Sequence, residues 1–266
     1  MKTFHRKFAL LLTVFQLSFV SGFAQQRYVE NQAFGYGERL EYKVGYKFVK
    51  AGTAVFEVGS KPVKRNGQDH YDIRFDVKSL ESLDWLYRVR DQYRTIVDVA
   101  GIYPVEFEQH IREGNYKRDF KAEFDQKANL ARTTDGEFKI PDYVHDIVSA
   151  FYYVRTVDLK TKKKGDIIQL QNFYGKKTYD LGVKVLGREQ IEVEGGKFKC
   201  VVVEPMIQEG GLFKADGRVV IWLSDDERKI PVKVSTKIPI GTIDAELVKF
   251  SGLRGDLAGR VGDSKQ

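Results

Sequence analysis

Asp142, His145, Asp146 and Ser149 fall on one side of a stretch that reads as a helix from Pro141 to Asp158. An acid, an imidazole and a hydroxyl one turn apart are the ingredients for hydrolysing an ester or a glycan bond. A nucleophile also needs an oxyanion site and a base aimed at it, and the outer face of a helix supplies neither. The plainer reading makes Asp142 the helix cap, just after Pro141, and leaves the other polar residues solvated. Glu106, Glu108 and Glu113 cluster around one strand, with Glu106 and Glu108 on the same face. Paired carboxylates cleave glycosidic bonds, but charged alternation on a wet strand face explains these residues equally well.

Other chemistry is sparse. There is no nucleophile elbow, no His-Glu-x-x-His, no glycine-rich phosphate loop and no calcium loop, so no cofactor is expected. His70, His110 and His145 lie on different elements without metal-ligand spacing, so no metal site is expected either. The single cysteine, Cys200, stands in the apolar run Cys200-Val201-Val202-Val203 and has no partner for an internal disulfide. It reads as a small buried apolar group.

The helix is amphipathic. Val144, Ile147, Val148, Phe151 and Tyr152 recur at i, i+3, i+4, i+7 and i+8, one face of a 3.6-residue period. A lone helix of this length does not hold itself together in water. Its apolar stripe must lie against a sheet, and the flanking sequence is almost all strand.

Leu40, Tyr42, Val44, Tyr46 and Phe48 alternate with Arg39, Glu41, Lys43 and Lys47, a strand with one wet face and one buried face. Similar runs continue to Phe250, joined by turns such as Arg65-Asn66-Gly67-Gln68, Glu113-Gly114-Asn115 and Glu194-Gly195-Gly196. Repeats and linkers are absent. The expected fold is mainly β: a single antiparallel meander of residues 25–250, curled into a barrel or half-barrel around one central amphipathic helix. Residues 251–266, rich in glycine and charge, read as a disordered tail. Val201 to Val203 and Val219 to Leu223 are apolar at consecutive positions, so both faces of that part of the sheet leave water. One face can rest on the helix; the other needs a lid, a second layer or a ligand.

The chain has 18 Phe, 14 Tyr and 2 Trp. Trp85, Tyr87, Tyr152, Tyr153, Phe173, Tyr174 and Trp222 fall near the helix or the doubly apolar strands in sequence order. They are the expected lining of a ligand cavity.

The first residues give an address. Lys2, Arg6 and Lys7 precede the apolar run Phe8 to Val20, and Gly22 and Ala24 are small, as in a signal peptide cleaved after Ala24. The mature chain is expected to be periplasmic or secreted. Losing those three cations lowers the formal net charge from +7 to a weak bias, without the basic stripe of a nucleic-acid binder. Lys160, Lys162, Lys163 and Lys164 form the one dense run: a solvated turn, or a contact with an anionic membrane surface or an envelope protein.

Three sets of residues carry a resemblance. They are Gly37-Glu38-Arg39-Leu40-Glu41-Tyr42 with Ala51-Gly52; Asp146-x-x-Ser149-x-x-Tyr152-Tyr153-x-Arg155 with Gly195-Gly196-Lys197-Phe198-x-Cys200; and Trp222-x-Ser224-Asp225-Asp226-x-Arg228-x-x-Pro231-Val232. Together they resemble the exported bacterial domain-of-unknown-function 3108 family. The resemblance implies a β-rich Gram-negative envelope protein and hands over no catalytic residue.

The leading functional expectation is a non-enzymatic envelope protein holding an amphipathic or lipid-like ligand between sheet and helix. Soluble half-barrel lipid carriers share that architecture, an analogy at the level of fold. The alternatives are a structural or protein-interaction component of the envelope, and a hydrolase using His145, Asp146 and Ser149 or the Glu106/Glu108 pair. A transmembrane barrel ranks last, because Asp91 would share a lipid face with Val89 and Tyr93.

Overall fold

Period-two alternation produces strands almost throughout. The computed structural model describes residues 27–46, 49–207, 217–238 and 241–262; the leader and its expected cleavage site lie outside them. The first half of the chain gives β1 (Arg39–Tyr46), β2 (Val49–Val58), β3 (Val63–Arg65), β4 (Gln68–Ser79) and β5 (Arg90–Asp98). It continues with β6 (Pro104–Glu113), β7 (Tyr116–Asp125), β8 (Leu130–Thr133) and β9 (Gly136–Lys139). The one α-helix among the described residues, α1 (Ile147–Thr156), follows. The second half gives β10 (Ile167–Tyr174), β11 (Lys177–Val193), β12 (Gly196–Ile207) and β13 (Val219–Ser224). The last three strands are β14 (Pro231–Ile238), β15 (Gly241–Ser251) and β16 (Arg260–Val261).

All of the strands belong to one antiparallel sheet, ordered β10-β11-β12-β13-β14-β15-β1-β2-β4-β5-β6-β7-β8-β9, with β3 on β4 and β16 on β12. The meander is therefore two meanders sharing a centre. β1 and β15 pair in the middle, Val44 against Ala245, and the free edges β9 and β10 belong to segments that flank α1. The ring of backbone hydrogen bonds does not close. Side chains bridge the gap instead: Phe173 of β10 sits 5.9 Å from the Phe124 ring and 6.0 Å from the Phe138 ring, and Arg118 of β7 donates to the Tyr174 hydroxyl.

α1 lies in the concavity. Val148 and Tyr152 join the cluster containing Ile73, Phe107 and Phe120, while Ala150 and Val154 join the one containing Val183, Val201 and Val203. Phe151 stacks on Phe56 of β2 at 5.2 Å, and Phe56 stacks on Phe75 of β4 at 4.0 Å.

Three local expectations are corrected. The helix starts at Ile147, because Tyr143 takes a left-handed φ of 54° and His145 is tied to β10 as a strand. The His145 N–H donates to the Gln171 carbonyl at 2.9 Å, and the His145 carbonyl accepts from the Phe173 N–H at 2.8 Å. Asp146, not Asp142, is the cap, and Asp142 instead accepts from the Asn129 side-chain amide at 2.8 Å. The segment after Ser251 is built into the fold through residue 262. β16 pairs with Lys197 and Phe198, the Gly259 N–H donates to Asp226 at 2.8 Å, and Leu253 and Leu257 cover the cluster around Phe198 and Cys200. That cover is the second layer which the doubly apolar β12 requires.

Candidate functional site

Between α1 and the concave sheet is a cavity of about 320 Å³, within the range of roughly 300–1,000 Å³ typical of small-molecule sites. The helix contributes Ile147, Val148, Ala150, Phe151 and Val154. The inward positions of the central strands contribute the rest, among them Tyr42 and Val44, Phe75 and Val77, Val219 and Ile221. Its polar lining groups are few: the hydroxyls of Tyr42, Tyr93 and Thr236. Tyr42 already donates to the Pro231 carbonyl at 2.8 Å. Ile243 lines the cavity and is itself 37% exposed, so the space opens to solvent at the end of the sheet where β14 turns into β15.

Space survives here because the side chains are short. Ala54, Ala150, Ala245 and Thr236 line the cavity, and the cross-strand partners of Ala245 are Val44 and Val234. The none-too-obvious consequence is that the large aromatics singled out from the sequence lie elsewhere. None of the seven is among the lining residues. Trp85 is 81% exposed and Tyr87 54% exposed, since both stand on the outward loop between β4 and β5. Tyr152 is fully buried between Phe34 and Phe56. Phe173 fills the seam, and Tyr174 accepts from Arg118. Tyr153 packs over Arg27 and the His145 ring. Trp222, half-buried, donates its indole N–H to Glu189.

The residues expected to be solvated on the helix form its rigid footing. Asp146 accepts from the N–H groups of Val148 and Ser149 at 2.8 and 2.9 Å, and from the Thr95 hydroxyl at 2.7 Å. Ser149 returns the favour by accepting from the Asp146 N–H at 3.0 Å, completing a capping box. Burial raises the Asp146 pKa, and these hydrogen bonds pull against it. His145 Nδ1 is 3.3 Å from the Ser149 hydroxyl. Both side chains are sealed in the core. Burial, with the nearby Arg27 charge, lowers His145 to about 3, too weak a base to activate a hydroxyl.

Arg155 is the largest fully buried side chain among the described residues. Its guanidinium meets the Glu38 carboxylate in two parallel bonds and also donates to the carbonyls of Ala33 and Arg228 at 3.2 and 3.1 Å. Burial would lower its pKa, but the Glu38 carboxylate overrides this and the value rises. One side chain thus ties the helix to the N-terminal lead and to the β13–β14 turn.

The carboxylate candidates are engaged on the outer wall. Glu106 is held below its ordinary value, first by its bond with Arg65 at 2.6 Å. Glu108 lies 3.3 Å from Lys121. Glu113 is raised by burial and then by neighbouring Asp91. Burial pushes the Cys200 thiol up to about 12, which fits a buried apolar role. Lys160 pairs with Glu227, and Arg188 donates to the Leu159 carbonyl at 2.7 Å. The lysine run therefore sits by the β13–β14 turn, at the end of the sheet away from the cavity mouth.

Fold and site together define a class: an open, barrel-like antiparallel sheet wrapped around one helix, with an apolar hollow between them. The chain belongs to the family described as Protein of unknown function (DUF3108), whose model matches residues 41–248. The solved β-barrel-like protein of domain of unknown function DUF1849 from Brucella abortus is similar in fold. It is 11% identical, with 82% of this chain and 99% of that one covered at a TM-score of 0.53. A hypothetical protein of Chlamydia trachomatis aligns at 7% identity over 87% and 94% of the two chains, TM-score 0.37. A Bacteroides fragilis protein of YmcC-like fold aligns at 13% identity over 84% and 99%, TM-score 0.32. No curated protein shows significant similarity to the chain. Among the described residues no helix is long and apolar enough to cross a membrane.

Proposed function

We propose that the protein is an exported envelope protein that holds the apolar chain of a lipid-like ligand between α1 and the concave sheet. The observation that carries this reading is the unfilled, almost wholly apolar hollow of about 320 Å³. A protein interior ordinarily closes such space, because each lost contact costs stability. Here Arg155 and Asp146 fasten the helix by buried polar contacts, which holds it away from the sheet without side chains filling the gap. The leader of residues 1–24 supports export, with cleavage after Ala24 leaving the mature chain in the periplasm or outside the cell. Binding rather than catalysis fits the residues best, since His145, Asp146 and Ser149 are sealed in the core and Glu106 and Glu108 are engaged with Arg65 and Lys121.

The test is native mass spectrometry and solvent extraction of protein purified from the envelope. The wild type should carry a lipid-like species, and Ala150→Leu/Ala245→Leu, which fills the hollow, should not. A wild type that is empty, or a filled variant carrying the same species, would overturn the reading.

A further inference from the structure

The loop between β4 and β5 carries three consecutive large apolar residues, Trp85, Leu86 and Tyr87, which are 81%, 69% and 54% exposed. Folding gains nothing from leaving three such side chains in water, and adjacent exposed apolar groups of this size mark an interaction surface. Their base is rigid. Asp84 binds Arg90 at 2.6 Å and accepts from the Ser79 hydroxyl at 2.6 Å. The Tyr87 ring rests on Gly114, where a Cβ would come within 2.9 Å of it and φ is +56°.

The loop stands on the rim that surrounds the cavity mouth. The hairpin ends Tyr46↔Val49, Glu113↔Tyr116, Tyr174↔Lys177 and Ile238↔Gly241 all point to that end of the sheet. The Leu80 N–H donates to the Ala51 carbonyl, placing the loop beside Val49, which is 60% exposed. The same rim carries Lys50, Lys117, Lys176, Lys177 and Lys237, all exposed and none in an ion pair with a described residue. Among the described residues its acids, Glu81, Asp84, Asp91 and Glu113, are fewer, and Asp84 is already paired. Lys78 lines a groove in the adjoining outer wall together with Arg90 and Arg112, which are paired with Asp84 and Asp119.

We infer that this rim docks on an anionic lipid bilayer, with Trp85, Leu86 and Tyr87 entering the headgroup region and the lysines facing the lipid charge. Trp and Tyr favour that boundary, since each has an apolar ring and a polar tip. Apolar insertion combined with surface lysines gives the two signals that stable peripheral attachment needs. The arrangement also turns the mouth of the hollow toward the membrane, although docking itself does not depend on what the hollow holds.

The mature chain would be sedimented with vesicles of phosphatidylcholine alone and of phosphatidylcholine with phosphatidylglycerol. Binding is expected to the anionic vesicles, weakening with salt. It should fall by about tenfold or more in Trp85→Ser/Leu86→Ser/Tyr87→Ser and persist in Lys162→Ala/Lys163→Ala/Lys164→Ala at the opposite end. In Trp222→Phe, Trp85 is the only tryptophan, and its emission should shift to the blue when anionic vesicles are added. The cavity-filled Ala150→Leu/Ala245→Leu should bind vesicles as the wild type does. Absent binding, equal binding to neutral vesicles, an unmoved Trp85 emission, or undiminished binding in the loop variant would each overturn the proposal.

Discussion

Arg155 and Glu38, 117 positions apart in the chain, meet in two parallel bonds of 2.7 and 2.8 Å with neither side chain exposed. The contact joins the end of α1 to the start of β1, and the Arg155 guanidinium also lies 4.9 Å from the Tyr152 ring and 5.5 Å from the Phe34 ring. Removing one partner strands a charge in a dry interior. Arg155→Met is therefore expected to lose about 3–5 kcal/mol in urea unfolding, and Glu38→Leu/Arg155→Met to recover part of it. A loss in the single variant below about 1 kcal/mol, the scale of a surface pair, would show that the pair is not the clamp described.

His145 sets a pH dependence. Buried and neutral in the fold at about 3, it regains an ordinary value near 6.5 on unfolding. Its contribution is then fully present above about 6.5 and is lost as pH falls from there toward about 3, because only the unfolded chain takes up the proton. His145→Gln removes this titration. Its unfolding midpoint should fall less than that of the wild type between about pH 7.5 and about pH 4.5. Parallel curves for the two proteins would assign the acid sensitivity to other groups.

A chain ending at Ser251 tests the structured C-terminal segment. It loses the cover of Leu253 and Leu257, the β16 pairing with Lys197 and Phe198, and the Gly259 donor to buried Asp226. Two partly buried leucines and one stranded carboxylate acceptor are together worth about 2–4 kcal/mol. Calorimetry should show a lower Tm, and an unchanged Tm would mean the segment only rests on the surface.

Much of the architecture was legible because strands and helices advertise themselves by period. The alternation of Leu40, Tyr42 and Val44 and the spacing of Val148, Phe151 and Tyr152 follow from burying one face. What escaped is what depends on distant partners. Composition marked the tail as disordered, yet Asp226 and the edge of β12 give its amides somewhere to bind. Asp142 follows a proline as a cap should, but pairing of His145 with β10 moves the helix start by a turn. Polar residues on a helix read as wet, whereas Thr95, Glu38 and Arg27 bring them partners from other elements. Trp85 and Phe173 stand out by size, but neither lines the hollow. Its signal was the short residues Ala54, Ala150 and Ala245 at inward positions. No local pattern separates those from ordinary core.

The hollow itself has a thermodynamic signature. Empty space lined by apolar groups costs stability, and filling it commonly returns about 0.5–2 kcal/mol. Stripped of lipid, Ala150→Leu/Ala245→Leu should therefore melt above the stripped wild type, since each Leu occupies space that Ala leaves and the helix loses little when Leu replaces Ala150. A bound ligand stabilises only the state that can bind it. Titrating a long-chain fatty acid should then raise the wild-type Tm progressively while leaving the filled variant where it was, so the two melting curves approach or cross. Had the residues around Ala150 and Ala245 already been packed to interior density, two extra leucines would force strain of about 1–3 kcal/mol instead. A filled variant that melts below the stripped wild type would therefore remove the hollow, and with it the binding site.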